Sequence, residues 1–338
     1  MYHEINRDHL KALCIGCSFL GSGGGGDVNT LYEIVDKALY NYGPISMMNP
    51  NDLQDEDKVA AIEFVGAPLP IEMRQSNTQA RIKPALDLVM QDLGIKINAL
   101  MPVEIGGSNA LVPLCIAGEL NLPIVDCDLL GRALPEITMI STNIFDRMPS
   151  KAYICDPSTG QTQIITCKSY SELETQARAI ASSYSNSAAI LVPVVMTGME
   201  VKQMAIHRTI SQSIQIGLQD TLDGFCQATQ GVIRCTGAIT AWNYALKSGF
   251  LVGELMLQTL EGQHFCIKVK NEFLGLFDDR GATIAQAPDI ITLLSKDSLL
   301  PILSDQLQIG DKVICMTCKG PDIWYTKKGL SLLVNIRA

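Results

Sequence analysis

Apolar positions along the chain change period several times, and the changes mark out its elements. Between residues 9 and 20, and again between 28 and 40, apolar side chains recur every three or four residues, which predicts two helices. The link between them is Gly21-Ser22-Gly23-Gly24-Gly25-Gly26-Asp27, with Asp27 placed to cap the second helix. Short apolar runs then alternate with helical stretches. VAAIEFVGAP reads as a buried strand and turn, residues 76–93 as a helix stopped by Gly94, and INALMPVEIGG as a strand and loop. Residues 109–120 read as a helix, LPIVDCD as a third strand and loop, and ITMISTNIF as a fourth strand. This alternation predicts an α/β domain with a mostly parallel sheet and helices on its faces. Functional loops of such sheets lie at the carboxyl ends of the strands.

The second half begins differently. AYICDPSTGQTQIITCK predicts a hairpin turning at residues 156–160. Residues 171–183 predict a helix with a capping box from Ser171 to Glu174, residues 190–196 a strand, and residues 198–217 one long amphipathic helix. From about Gly231 the pattern shifts to β-rich runs: GVIRCTGAIT, GFLVGELMLQTL, HFCIKVKNEFLGLF, PDIITLL, DKVICMTC and LSLLVNI. They predict a mainly antiparallel β unit of barrel or sandwich type. The expected organisation is an N-terminal α/β domain at 1–165 and a C-terminal domain at 166–338. The latter has an α/β lead-in at 170–220 and its β-rich unit at 225–338.

Composition narrows the function. Of 338 residues, 47% are hydrophobic and 18% charged, so most of the chain is expected to pack. A net charge of −9 argues against nucleic acid or an anionic membrane as partner. Eleven irregularly spaced cysteines and a polar start (MYHEINRDHL) point to free thiols in a reducing cytoplasm. No apolar run reaches membrane-spanning length. The two CxxC pairs, Cys14/Cys17 and Cys315/Cys318, have zinc spacing, but the first shares one face of an apolar helix and the second lies by a strand. Buried hydrophobic thiols fit both better. The four histidines form no metal motif, and His207 beside Arg208 is expected on a polar face. No GxSxG elbow is present.

Candidate chemistry collects at the predicted strand ends. The glycine run directs N–H groups toward a helix N-terminus, suited to an anionic or carbonyl oxygen, yet no nucleotide fingerprint accompanies it. Asp126 and Asp128 sit two apart and face the same way in extended chain. With Glu104, Asp27 and Glu136 they would hold a divalent metal ion or divide acid and base roles. Alternatively, one aspartate caps a helix and the other pairs with Arg132. Arg132 itself has the planar fork for a substrate carboxylate or carbonyl. Cys127, between the aspartates, is a poor nucleophile, because acidic neighbours raise a thiol pKa. Asn271-Glu272 breaks an apolar alternation, facing either a cleft or solvent.

Taken in order, GSGGGGD, PVEIGGSNA, LPIVDCDLLGRALPEITM, VMTGMEVKQMAIHRTISQSIQIG, KNEFLGLFDDRG and APDIITLL resemble the S-methyl-thiohydantoin desulfurase-like family over nearly the whole chain. The resemblance implies two domains, a small-molecule ring substrate, and hydrolysis of a ring carbon–sulfur bond to leave a hydantoin. It maps the family pattern onto Gly21, Gly23, Gly24, Gly25, Gly26, Asp27, Glu104, Gly106, Gly107 and Asn109. The pattern continues at Asp126, Asp128, Gly131, Arg132, Pro135, Glu136, Asn271, Glu272, Pro288 and Asp289. From chemistry, Asp126 or Asp128 is the expected base, with Arg132 and the glycine-loop N–H groups stabilising charge and Glu104 and Asn109 orienting the ring. A metal would activate the water instead. A homo-oligomer is expected. The rival reading is a ligand-binding or regulatory subunit assisting a hydantoinase/oxoprolinase-type partner.

Overall fold

The computed structural model describes residues 2–66, 82–148, 150–185, 187–247 and 249–337. Two sheets organise it. Ten strands fall in the first two-thirds: β1 (Glu4–Ile5), β2 (Ile45–Met48), β3 (Lys58–Gly66), β4 (Ala99–Pro102), β5 (Ile124–Val125), β6 (Cys127–Asp128), β7 (Lys151–Cys155), β8 (Thr162–Thr166), β9 (Ala188–Thr197) and β10 (Ile206–His207). Eight of them form one sheet in the order β1-β2-β5-β4-β3-β9-β7-β8. Strands β2, β5, β4 and β3 run parallel. Antiparallel strands extend both flanks. Because β9 lies between β3 and β7, this sheet draws on both sides of residue 165.

The helices are α1 (Arg7–Leu20), α2 (Asn29–Tyr42), α3 (Lys83–Leu93), α4 (Leu114–Leu120), α5 (Ser141–Ile144), α6 (Tyr170–Ser183), α7 (Gly198–Met204), α8 (Thr209–Gly217), α9 (Leu222–Thr229) and α10 (Lys327–Leu332). They cover both faces of the sheet, which the side chains of β3 make plain. Ala60 and Ile62 pack into a core with α1, α2, α3 and α8, whereas Val59 and Ala61 join a second core with α6 and Trp324. A buried sheet face on each side is what a near-continuous apolar strand requires.

The second sheet comprises β11 (Val232–Lys247), β12 (Phe250–Thr259), β13 (His264–Lys270), β14 (Glu272–Asp278), β15 (Thr283–Gln286), β16 (Ile290–Ser295) and β17 (Lys312–Cys318). All its pairings are antiparallel, in the order β15-β14-β13-β12-β11-β17-β16. It curls into a half-barrel around Leu255, Ile267, Phe273, Leu276 and Leu293. The fold is therefore mixed α/β with an antiparallel C-terminal unit. Among the described residues no helix is long and apolar enough to cross a membrane.

Several local expectations fail, each for a tertiary reason. The segment at 198–217 is two helices. Ile206 and His207 leave the helix to pair with Asp128 and Cys127, and Arg208 takes a left-handed φ of 67° while its N–H donates to the Asp126 carbonyl. ITMISTNIF is a short 3-10 turn followed by α5, and LSLLVNI lies in α10 and a terminal 3-10 turn. Residues 107–111 form a 3-10 turn before α4 begins at Leu114. The cap of α6 is Ser169, which accepts from the Glu172 N–H, so the box from Ser171 to Glu174 does not form. Asp27 stands one residue before the α2 cap and accepts from the Asn29 N–H at 2.9 Å. The predicted helix at 76–93 is described from Lys83 to Leu93 and ends at a left-handed Gly94; its earlier part lies outside the described residues.

Candidate active site

Three backbones converge at the glycine run. The Ser22 carbonyl accepts from Phe273 N–H at 2.6 Å, the Gly23 carbonyl from Ser304 N–H at 2.8 Å, and the Gly26 carbonyl from Ser108 N–H at 3.0 Å. The loop thus ties β14, the segment around residue 304 and the turn after β4 to the end of α1. Two positions show why side chains are absent. At Gly24 a Cβ would lie 2.7 Å from Glu272 Cδ. At Gly25, φ is +74° and a Cβ would meet the Gly106 carbonyl carbon at 2.6 Å.

Beside this junction lies a cavity of about 350 Å³, at the lower end of the range for small-molecule sites. Its lining includes Gly23, Gly24, Gly25, Gly26, Asp27, Glu63, Glu104, Asn109, Glu136, Glu174, Arg178, Asn271 and Glu272, with apolar surface from Leu31, Ile34, Leu134 and Ile137. Gly106 and Gly107 pack behind the glycine run and do not line the cavity.

Three carboxyl groups give the cavity its chemistry. Glu104 accepts from Asn109 Nδ2 at 2.9 Å and from Leu134 N–H at 3.1 Å. Burial, and then the neighbouring Glu272 carboxylate, push its pKa well above the ordinary value despite those donors. Glu272 is 3% exposed, and its Oε2 has no hydrogen-bond partner among the described residues. Burial raises it to about 7, opposed by the Arg132 guanidinium and the Gly25 N–H. Glu63, inside β3, is pushed to about 8 by burial and by Glu174. Asn109 joins the group from another side, since its Oδ1 accepts from the Phe64 N–H at 2.9 Å.

Asp126, Asp128 and Arg132 stand elsewhere. All are buried and none lines the cavity. Asp126 accepts from Ser211 N–H at 3.0 Å and Ser211 Oγ at 2.5 Å, holding the first turn of α8 from outside. Asp128 Oδ2 accepts from three backbone N–H groups: Gly131 at 2.7 Å, Ile105 at 2.9 Å and Leu130 at 3.1 Å. Burial still raises it to about 7. Arg132 donates to three carbonyls, those of Ala133, Phe273 and Asp289, so its fork is spent on β14 and the start of β16. Its positive charge nevertheless reaches Glu272 and Glu104. The two aspartates neither share a pocket with Glu104 nor pair with Arg132.

The cations near the cavity are committed as well. Arg178 pairs with Glu174, donates to the Pro135 carbonyl at 3.0 Å, and stacks 4.1 Å from the Phe250 ring centre. Lys270 pairs with Glu136 and lies 4.4 Å from the same ring. Asn271 is left-handed (φ 58°); it accepts from Leu251 N–H through Oδ1 and so aims the next residue, Glu272, at the cavity. Glu63, Glu174 and Arg178 escaped the sequence reading. The one signal for Glu63 was a lone acid inside an apolar strand.

The cysteines are buried or half-buried free thiols. Cys14 and Cys17 share the packed face of α1, and Cys315 faces Cys235 across β17 and β11. Burial, then Asp128 and Asp126, raise Cys127 well above its ordinary value. His207 is half-buried on β10. Among the described residues no group of three His, Cys, Asp or Glu side chains is arranged to hold a metal ion.

Fold and cavity together define a mixed α/β protein whose cleft, at the junction of two sheets, is walled by carboxyl groups of raised pKa. The chain belongs to the S-Me-THD-like family: the N-terminal domain matches at residues 8–167 and the C-terminal domain at 168–334. Its fold is similar to that of a Chromobacterium violaceum protein solved by X-ray crystallography as a structural-genomics target. The two share 18% identity at a TM-score of 0.79, over 99% of this chain and 96% of that one. No curated protein matches.

Proposed function

We propose that this chain is a hydrolase of a small thiohydantoin-type ring, replacing a ring S-methyl group with oxygen from water. The observation that carries this reading is the gathering of Glu63, Glu104 and Glu272 on one small, largely apolar cavity, their ionisation held back by burial, to which Glu174 adds at Glu63 and Glu272 adds at Glu104. Titratable groups poised near neutrality in a cleft are what acid–base catalysis needs. The base is assigned to Glu272 rather than to Asp126, whose oxygens serve Ser211, or Asp128, whose Oδ2 serves three backbone donors and which does not line the cavity.

In the proposed reaction, ionised Glu272 takes a proton from water as the oxygen adds to the ring carbon bearing sulfur. The electron pair of the C=N bond moves to nitrogen, which takes a proton from neutral Glu104. The new hydroxyl then returns a proton to Glu104 as the carbonyl forms. The C–S bond breaks, and the sulfur leaves as methanethiol with the proton held by Glu272. Both carboxyl groups end as they began, and Arg132 steadies the ionised form of Glu272 from behind.

The test is thiol release from an S-methyl-thiohydantoin by the purified protein, followed with a chromogenic thiol reagent. Glu272→Gln should lower kcat by roughly 10²–10⁴-fold, the usual worth of a general base. Ring binding without thiol release by the wild-type protein would move the assignment to a ligand-binding subunit.

A further inference from the structure

We propose that the cleft selects rings that are neutral or cationic and present N–H donors to Glu272, and that it rejects rings carrying a carboxylate; this rests on the same cleft being the substrate site. The charges lining it are unequal. Asp27, Glu63, Glu104, Glu136, Glu174, Glu272 and Asp305 contribute acids, against Arg178 as the one cation among the described lining residues. Arg178 has no fork left for a ligand, because Glu174, the Pro135 carbonyl and the Phe250 ring occupy it. Lys270, just outside the lining, is matched to Glu136.

Apart from those two pairs, Glu63, Glu104 and Glu272 form no ion pair among the described residues; the charge of Arg132 reaches Glu272 and Glu104 only from behind the cleft wall. A ligand carboxylate would set a second negative charge beside ionised Glu272, with neutral Glu63 and Glu104 offering it no counter-charge, a repulsion that acts through a poorly solvated, partly apolar space. The opposite ligand finds an acceptor waiting. Glu272 Oε2 is buried without a partner among the described residues, and an unmet acceptor of that kind favours a donor that satisfies it. An amidine-like N–C–N group presents two donors in a plane, matching a carboxylate edge on. The methylthio ring of the proposed substrate contains an N–C=N unit with one N–H donor, and it gains the second donor when the imine nitrogen is protonated.

Benzamidine, benzamide and benzoate test the inference, since they share shape and differ in charge by one unit each. Their equilibrium binding to the full chain would be measured by calorimetry, which is indifferent to turnover. The expected order is benzamidine tightest, benzamide next and benzoate weakest, with about tenfold or more between the extremes. Glu272→Gln should abolish the preference for benzamidine, while Asp297→Asn, which removes one exposed acid outside the cleft, should keep it. Benzoate binding as tightly as benzamide, no binding by any probe, or an unchanged preference in Glu272→Gln would overturn the proposal. The wild-type order decides the matter even if the Glu272 variant does not fold. Loss of thiol release with the amidine preference intact would count against the reaction alone.

Discussion

Gly24→Ala is the sharpest perturbation the structure offers, because it moves Glu272 without touching its chemistry. A Cβ at Gly24 would stand 2.7 Å from Glu272 Cδ and 2.8 Å from Cγ. Unstrained carbon pairs sit about 3.5–4.0 Å apart, so something must move by about 1 Å. The loop cannot readily withdraw. Its carbonyls at Ser22 and Gly23 are bound by Phe273 and Ser304, and Gly24 N–H is held by the Gly21 carbonyl at 2.8 Å. Glu272 therefore shifts instead. Overpacking of this kind costs about 1–3 kcal/mol of stability. A displacement of about 1 Å at a reacting group costs about 10² in rate. Gly43→Ala is the matched control. Gly43 has φ +83°, and a Cβ there would meet no atom of the described residues within 4 Å, so its alanine carries only backbone strain, about 1 kcal/mol, and should leave turnover unchanged. Thermal unfolding and thiol release would be read on both variants. Full kcat/KM in Gly24→Ala, with folding intact, would refute the assignment of Glu272 to the reaction.

Other expectations follow from the same geometry. Activity should rise with pH and level off through about pH 7 as Glu272 ionises, and Glu272→Gln should lose this limb of the pH–rate profile. Stability should run the other way. Glu63 and Glu272 hold their protons to about 8 and about 7 in the fold but ionise near 4.3 when unfolded, so the folded state binds more protons between those limits. Their contribution is fully present at acid pH and is lost as pH rises through the folded values, which denaturant titrations of wild type against Glu63→Gln would reveal as a flatter profile in the variant. Asp128→Asn keeps an oxygen for the three backbone donors and should retain turnover within about threefold, whereas Asp128→Ala leaves them unmet and should cost about 3 kcal/mol or more. Arg132→Met should destabilise the fold by about 3–5 kcal/mol, since Glu272 and Glu104 lose their buried counter-charge, measured by urea unfolding.

Much of this architecture was legible from apolar periodicity, because strands buried on both faces and helices with one buried stripe leave different traces. What escaped depended on contacts distant in sequence. Nothing local in MEVKQMAIHRT breaks a helix, and the break exists because Ile206 and His207 pair with Cys127 and Asp128. ITMISTNIF is rich in β-branched residues, yet among the described residues no strand pairs with it. The glycine run announced a constrained loop, but the run serves the close approach of Glu272 and Gly106. The aspartates at 126 and 128 drew attention as a pair, and their partners, Ser211 and the Ile105 N–H, lie in other segments. Glu272 was visible only as half of a polar pair whose direction a left-handed Asn271 decides.

The most direct measurement of the central claim is turnover of an S-methyl-thiohydantoin in H₂¹⁸O by wild type and Glu272→Gln, read by mass spectrometry of the ring product together with methanethiol. The account predicts one heavy oxygen at the former C–S carbon for each thiol released, with both signals collapsing together in Glu272→Gln. Thiol release at the wild-type rate in Glu272→Gln, or a product ring without the heavy oxygen, would contradict it.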